Sequence, residues 1–211
     1  MKTIENFDKY YMKQALNQAG KALKNDDVPI GAVIVCGGKV IAKAYNQVEM
    51  KKDSTAHAET EAIRKAIKKL KYTYLRAVDT HDWDLLESTL TADCSARYDG
   101  GKYSFDDREQ LISGLKGHMD SPQVLTMHNC HHPEIDVINS ASATGIWYLQ
   151  DLVFNKEQNW MLFGTAIYTD QYSYNDGEWR ICHTEYERIM ETINAPIPST
   201  LSFTHNMFEK K

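Results

Sequence analysis

The chain has little of what disulfide-stabilised or membrane-embedded proteins need. It contains 4 cysteines in 211 residues, and no two of them form a Cys-x-x-Cys pair. Isolated thiols of this kind are typical of a reducing cytosol rather than of a disulfide framework. No apolar run approaches transmembrane length, and the first residues lack the apolar core of a signal peptide. We therefore expect a cytoplasmic globular protein without a membrane partner.

Charge and tryptophan are distributed unevenly along the chain. Residues 1–70 contain 13 Lys and Arg against 8 Asp and Glu, whereas the rest contains 11 against 21. All 4 tryptophans also lie in the second part. This asymmetry predicts two segments of different origin. A basic first segment could favour nucleic acid, but a solvated basic surface explains it more simply, so we expect no nucleic-acid partner.

The hydrophobic pattern predicts helices first and strands afterwards. Apolar residues at helical spacing predict a helix from about residue 8 to 23, and a hairpin turning at Gly37-Gly38 follows it. An apolar stripe without Gly or Pro predicts an unbroken helix over about 57–78. Shorter helices are predicted near 82–90 and 106–115. Alternating stretches predict strands over 124–128, 133–137, 143–154, 160–172 and 179–190, which makes the chain α+β.

The first segment carries half of a known metal-site motif. Its Val28–Val35 stretch, its Asn46 and its Thr55-Ala56-His57-Ala58-Glu59 stretch together resemble the tRNA adenosine deaminase family of the cytidine-deaminase-like fold. The resemblance covers about residues 7–70. It implies that His57 binds zinc, that Glu59 shuttles protons and that Asn46 contacts the base.

The other half of that motif is missing. The family's zinc also needs two thiolates from a Pro-Cys-x-x-Cys turn, and this sequence has none. A single imidazole binds zinc weakly and would not acidify a water sufficiently. We therefore predict that His57, Glu59 and Asn46 are non-functional remnants, with no metal bound, and that zinc-dependent deamination of a nucleobase or tRNA is the disfavoured alternative.

The second segment, about residues 68–195, resembles a different family. The stretches that carry the resemblance are residues 70–79 with Trp83, then 127–135, 147–151 and 186–188. They are similar to the SnoaL-like branch of the nuclear-transport-factor-2-like superfamily, and most of all to the bile acid 7-alpha-dehydratases. The resemblance implies a cone-shaped barrel with a curved antiparallel sheet, covering helices and an apolar pocket. It also implies a homo-oligomer, namely a trimer.

The same resemblance implies a set of site residues. Tyr74 and His128 would be the acid/base pair, Asp79 would hold the imidazole tautomer, and Asp151 and Arg188 would complete the polar lining. Such a set suits the elimination of water beside a carbonyl, because imidazole works as acid or base near neutral pH and a buried phenol can donate a hydrogen bond. No cofactor is required. The strongest expectation is a pair between His128 and either Asp79 or Asp151.

Taken together, the sequence predicts a chimera. Residues 1–69 would be a deaminase-like fragment, residues 70–195 a SnoaL-like domain and residues 196–211 an irregular tail. The predicted function is that of a cofactor-independent dehydratase or related lyase acting on a small hydrophobic, hydroxylated substrate. The alternatives are a non-catalytic domain that binds a hydrophobic ligand, a purely structural module, and a zinc site formed by His128, His131 and His132.

Overall fold

The computed structural model describes the backbone of residues 2–209 and the side chains from Phe7 onward. Two units separate by their internal contacts: residues 2–69 with Tyr174–Trp179, and Leu70–Ser173 with the residues from Arg180 onward. None of the helices in the described part of the chain is long and apolar enough to cross a bilayer. The elements are α1 Lys2–Lys24, β1 Gly31–Cys36, β2 Lys39–Tyr45, α2 Val48–Lys51, α3 Ala58–Asp79, α4 Trp83–Ser88, β3 Leu90–Tyr98, β4 Tyr103–Phe105, α5 Arg108–Met119, β5 Val124–Asn139, β6 Ser142–Asn155, β7 Trp160–Asn175 and β8 Glu178–Asn194.

The first unit is the predicted helix, hairpin and helix start. Strands β1 and β2 pair antiparallel, and α1 packs on both of them. The helix comes so close to β1 that a side chain at Gly31 would lie 2.1 Å from the backbone oxygen of Ala15. Glycine is therefore required at that contact. The predicted order of elements in this segment is confirmed.

Much apolar surface of the first unit is uncovered. Its buried core consists mainly of alanines, whereas many of its large apolar side chains are exposed. Such exposure is typical of a surface that normally packs against another element. The exposed large apolar residues of this unit include Phe7, Tyr10, Met12, Leu16, Leu23, Val28, Ile30 and Met50.

Helix α3 is the element shared by the two units. The predicted unbroken helix is confirmed, and it ends one residue later than expected, at Asp79. Its end is closed by two backbone hydrogen bonds, from His81 N to Val78 O (3.2 Å) and from Asp82 N to Ala77 O (2.9 Å). His81 has a φ of 54°, so the helix ends in a left-handed cap that usually contains glycine. This cap fixes the backbone position of Asp79 at the end of α3, from which its side chain reaches β5.

The second unit is built on a six-stranded sheet in the described part of the chain, with strand order β4-β3-β8-β7-β6-β5. The pairs β5–β6, β6–β7 and β3–β4 are antiparallel, whereas β3 and β8 are parallel. Strands β4 and β5 lie at opposite edges and are not neighbours. The predicted α+β fold with a curved, mostly antiparallel sheet is confirmed, but the expected barrel is wrong because the sheet is open.

Two parts of the strand prediction differ from the structure. The expected strands 124–128 and 133–137 are one long strand, β5, whose pairing shifts between His131 and Glu134 where His132 has a φ of 49°. Strands β3 and β4 are absent from the predicted elements, although apolar and polar residues alternate along β3; its pairing with β8 is interrupted between Leu90 and Ser95. The remaining long strands, β6, β7 and β8, lie where the alternating pattern predicts them.

A buried ion pair ties α3 to the sheet. The Lys71 ammonium lies 2.8 Å from a carboxylate oxygen of Asp170 on β7, and both side chains are fully buried. Asp170 also accepts hydrogen bonds from Tyr172 and Thr184, each at 2.7 Å. The Lys71 Nζ lies 3.5 Å from the ring centroid of Tyr168. The pair is thus fully hydrogen-bonded, as a buried charge pair must be to be tolerated.

Replacing Lys71 by methionine should therefore destabilise the second unit strongly. The substitution leaves the Asp170 carboxylate buried without its counter-ion, which typically costs about 3–5 kcal/mol. Urea unfolding followed by tryptophan fluorescence measures the change. The double variant with Lys71→Met and Asp170→Leu is the control, because it removes both charges and should recover most of the stability. If the single and double variants were equally unstable, the charge imbalance would not be the cause.

Candidate active site

A cavity of about 330 Å³ lies in the second unit between α3, α5 and the sheet. Most of its wall is apolar, and tyrosines from several elements add hydroxyl groups to it. The apolar lining includes Leu75, Val78, Phe105, Leu115, Met119, Val124, Leu149, Val153 and Trp160. The polar lining includes Tyr74, Tyr98, Tyr103, His118, His128, Asp151, Tyr168, Tyr186 and Arg188.

An imidazole and a carboxylate meet at one side of the cavity. Asp79 Oδ1 lies 2.6 Å from His128 Nδ1, and the same carboxylate accepts the backbone N–H of His128 at 3.0 Å. Thr126 Oγ1 donates a third hydrogen bond to Asp79 at 2.8 Å. Because β5 is the edge strand, its outward N–H groups lack a strand partner, and Asp79 satisfies one of them. The end of α3 is thereby tied to β5 at the residue that lines the cavity.

The charge on Asp79 is stabilised by this arrangement. Burial alone would raise the pKa of the carboxyl, but hydrogen bonds and the proximity of His128 outweigh it, so the pKa of Asp79 is lowered. An ionised Asp79 accepts a hydrogen bond from the Nδ1–H group of His128 and leaves Nε2 as the acceptor nitrogen of the neutral ring. The pair therefore provides a base whose tautomer is held by its neighbour.

The cavity's hydroxyl groups form a cluster around Tyr74. Its hydroxyl lies 2.5 Å from that of Tyr98 on β3, and the Tyr98 ring stacks on Tyr186 at 5.0 Å. Burial raises the pKa of Tyr74 and Tyr98 well above the ordinary value and that of Tyr186 to about 12. These phenols therefore remain protonated at neutral pH and can act as hydrogen-bond donors.

A second ion pair lies in the cavity wall. Arg188 on β8 donates two hydrogen bonds to Asp151 on β6, at 2.6 and 2.9 Å, in the bidentate geometry of strong pairs. The Asp151 carboxylate raises the pKa of Arg188 despite the opposing effect of burial. A side chain at Gly164 on β7 would lie 2.4 Å from Arg188 Nη1 and 2.6 Å from Asp151 Oδ1. The missing side chain at Gly164 thus makes room for the pair.

The structure brings the expected site residues together. One cavity is lined by Tyr74, His128, Asp151 and Arg188, and Asp79 is hydrogen-bonded to Nδ1 of His128. The partner of His128 is Asp79, whereas Asp151 pairs with Arg188. Residue type and spacing could not distinguish these two pairings, because both depend on which strands and helices become neighbours.

The sequence did not reveal the remaining polar groups of the lining. Tyr98 lies on a strand that was not predicted, Tyr168 and His118 have no neighbouring motif, and Tyr186 lies in the 186–188 stretch that carries the resemblance but was given no role. The alternation of β7 and β8 would have placed their tyrosines on one sheet face, which was the only available signal. Trp147 is fully buried in the core, is absent from the cavity lining and donates to Tyr172 at 2.9 Å.

The remnant positions of the first segment form no comparable site. His57 and Glu59 are exposed at the start of α3, and Asn46 is buried with its amide donating to Asp27 at 3.2 Å. Among the described side chains, from Phe7 to Glu209, no group of three or more His, Cys, Asp and Glu residues is arranged to hold a metal ion, and this covers the histidines of β5 too. The residues present do not fit the zinc that the resemblance implies.

Replacing Asp79 by asparagine should weaken the second unit in a pH-dependent way. At pH 7 the change removes a charged acceptor of three hydrogen bonds, which we expect to cost about 1–3 kcal/mol. Because the pKa of Asp79 is lowered by folding, its contribution is complete above the ordinary carboxyl value of ~3.9 and disappears as the pH falls through the lowered value. Urea titrations of both proteins between pH 7 and pH 2 test this, and a pH-independent difference would contradict it.

Replacing Gly164 by alanine should disrupt the Arg188–Asp151 pair. The new methyl group would occupy space within 2.4 Å of the guanidinium, so the pair must shift and lose its bidentate geometry. We expect a destabilisation of about 1–3 kcal/mol, as for other overpacked sites. Gly117→Ala is the matched control, since nothing lies within 4 Å of its added side chain. Equal thermal unfolding of the Gly164 variant and the parent would show that the wall tolerates the displacement.

The first segment is similar to deaminases over a limited length. Residues 5–83 match the cytidine and deoxycytidylate deaminase zinc-binding region. A tRNA-specific adenosine deaminase of Aquifex aeolicus is 44% identical over 72 residues, which are 34% of this chain and 48% of that protein. The Bacillus subtilis tRNA-specific adenosine deaminase is 48% identical over 63 residues, or 30% of this chain and 39% of that protein. The chain therefore spans half or less of the length of these relatives, and a deaminase fragment is present.

The second segment matches along its length. A putative scytalone dehydratase from Novosphingobium aromaticivorans superposes with a TM-score of 0.58 at 17% identity, over 69% of this chain and 98% of that one. A hexachlorocyclohexane dehydrochlorinase from Novosphingobium barchaimii superposes with a TM-score of 0.58 at 21% identity, over 68% and 98%. These likenesses show a shared fold. Residues 47–185 match the SnoaL-like domain, and the chain belongs to that family, with a deaminase-like segment in front.

Proposed function

We propose that the cavity is the active site of a lyase that eliminates water from a hydrophobic, hydroxylated carbonyl compound. The observation that carries this proposal is the Asp79–His128 pair, whose imidazole faces a mostly apolar cavity. A base with a fixed tautomer inside a mostly apolar cavity suits proton abstraction beside a carbonyl. The dehydratase and dehydrochlorinase named among the similar structures support the same class of reaction by analogy of fold.

The base in this mechanism is His128. Its Nε2 takes a proton from the carbon beside the carbonyl, and the electron pair of that C–H bond forms the new double bond. The positive charge that develops on the ring lies 2.6 Å from the ionised Asp79, which stabilises it. Such a positioned proton transfer typically contributes about 10²–10⁴-fold to the rate.

The acid is Tyr74. The C–O bond breaks as the hydroxyl leaves, and the Tyr74 hydroxyl supplies the proton that turns it into water. The imidazolium of His128 then returns a proton to the phenolate, so that the net products are an alkene and water. Tyr98 lies 2.5 Å from Tyr74 and can donate to its oxygen, which stabilises the transient negative charge. No cofactor takes part in these steps.

The volume and lining of the cavity limit the size and polarity of the substrate. A volume of about 330 Å³ is at the small end of cavities that hold drug-sized ligands. Its apolar wall favours a hydrocarbon skeleton, and the phenols offer donors to carbonyl and hydroxyl oxygens. Arg188 and Asp151 neutralise one another, so the lining does not call for a strongly charged substrate.

Ligand binding without turnover is a second candidate function. It is favoured because polar groups of the lining are hydrogen-bonded to one another: Tyr74 to Tyr98, and Arg188 to Asp151. Groups that already have partners orient a ligand weakly. The two candidates predict the same binding and differ only in turnover.

The test is replacement of His128 by alanine, assayed against hydroxy-ketone and steroid-like compounds. We expect loss of dehydration by at least about 100-fold, with the ligand still bound, because the base alone is removed. His131→Ala is the matched control, since this exposed histidine on the same strand lies outside the cavity lining. Formation of the alkene is followed by absorbance, and binding by tryptophan fluorescence. Binding by all three proteins without turnover by the parent would favour the second candidate.

A further inference from the structure

The residues after β8 pack against the second unit. Residues 195–209, here called the strap, have no helix or strand but return to the sheet and α3. Phe203 packs edge-on against Phe154 on β6, with ring centroids 5.0 Å apart. The buried side chain of Asn206 donates to the carbonyl of Pro122 at 2.7 Å, and Glu209 pairs with Lys156 at 2.7 Å. The strap also extends beyond residue 185, where the match to the family ends.

The strap's last contact is an aromatic stack at the end of α3. The Phe208 ring lies parallel to the His81 ring at 4.2 Å, and the Trp83 ring lies nearly parallel to His81 at 5.7 Å. Both rings are tied to the segment that leads into β5. Trp83 Nε1 donates to Asp120 at 3.0 Å, and Phe208 is two residues from Asn206, which is anchored on Pro122.

This stack bridges the two elements that carry the proposed base. His81 follows Asp79 by two residues and caps α3, whereas the 120–122 segment begins just before β5, which carries His128. The distance between the end of α3 and β5 decides whether the carboxylate reaches Nδ1 at 2.6 Å and the amide at 3.0 Å. Trp83 and Phe208 are anchored to the 120–122 segment and stack on His81, so they hold that distance.

The residue at the cap supports this interpretation. His81 has a φ of 54°, where glycine is preferred and a histidine is strained. Its Nε2 is buried without a hydrogen-bond partner among the described residues, so a hydrogen bond from this nitrogen does not explain the choice. What a histidine supplies here and a glycine cannot is a ring face for Phe208 and Trp83. Burial also lowers the pKa of His81, which favours the neutral, stacking form although Asp120 and Asp79 oppose the shift.

We infer that the strap, through Phe208 and His81, positions Asp79 against His128. Phe208 and His81 are positioning residues, since neither lines the cavity. The catalytic consequence rests on the proposed lyase function, whereas the geometric consequence does not. Loss of the stack should loosen the end of α3 relative to β5 and lengthen the hydrogen bonds that Asp79 makes.

The first test needs no substrate. The backbone N–H of His128 donates to Asp79 from the edge of the sheet, so its hydrogen exchange reports that contact directly. Exchange is measured by NMR on the full chain carrying Phe208→Ala, with Met207→Ala as the matched control because this neighbouring side chain is exposed. We expect exchange at His128 to accelerate about 10-fold or more in the Phe208 variant and to be unchanged in the control.

His81→Gly separates positioning from plain stability. Glycine removes the strain of the left-handed cap, so this variant should unfold at the same or a higher urea concentration than the parent. If the stack positions Asp79, exchange at His128 nevertheless accelerates, and kcat falls roughly 10-fold or more at unchanged KM because misplacement of a catalytic group by ~1 Å can cost about 100-fold.

The outcomes are distinguishable. Faster exchange in the Phe208 and His81 variants, with the Met207 control unchanged, supports the inference even if the parent shows no turnover, in which case the proposed function fails alone. Unchanged exchange at His128 in both variants overturns the inference, whatever their activity.

Discussion

The hydrogen bonds between Asp79 and β5 are the constraint on which the candidate site depends. One carboxylate accepts from the ring of His128, from its backbone N–H and from Thr126, so it fixes both the helix end and the edge strand. Each bond is individually modest, but leaving a partly buried carboxylate without partners would be costly, so the three bonds support one another. The cavity wall and the base are thus set by the same contact.

A second constraint is the placement of charge inside the second unit. The Lys71–Asp170 pair fixes α3 against β7, and the Arg188–Asp151 pair fixes β8 against β6. Buried pairs of this kind contribute little net stability, because desolvation offsets most of the attraction. Any packing that separates the partners leaves a charge without its counter-ion and is therefore unfavourable. The helix that carries Tyr74 and Asp79 is therefore held in one register, as the proposed mechanism requires.

Helix α3 lies where the two segments of the chain join. The whole helix lies within residues 47–83, where the match with deaminases and the match with the SnoaL-like domain overlap. A helix tolerates such a junction because its hydrogen bonds are local and only the apolar stripe must continue. The zinc of the deaminase family also needs two thiolates, and the described residues of this chain form no cluster that could hold a metal ion. What remains of that segment is a helix, a hairpin and exposed apolar surface.

By itself, the sequence determined most of the elements whose signal is local. Periodicity placed α3 and most of the long strands, and turn residues placed the first hairpin. Resemblance gathered Tyr74, Asp79, His128, Asp151 and Arg188 into one expected site. Only the tertiary structure decided that the sheet is open, that Asp79 rather than Asp151 holds the imidazole, and that Tyr98 and the strap belong to the surroundings of the base. The physical reason is that these are contacts between residues far apart in the chain, and no local pattern encodes which distant partner a side chain meets.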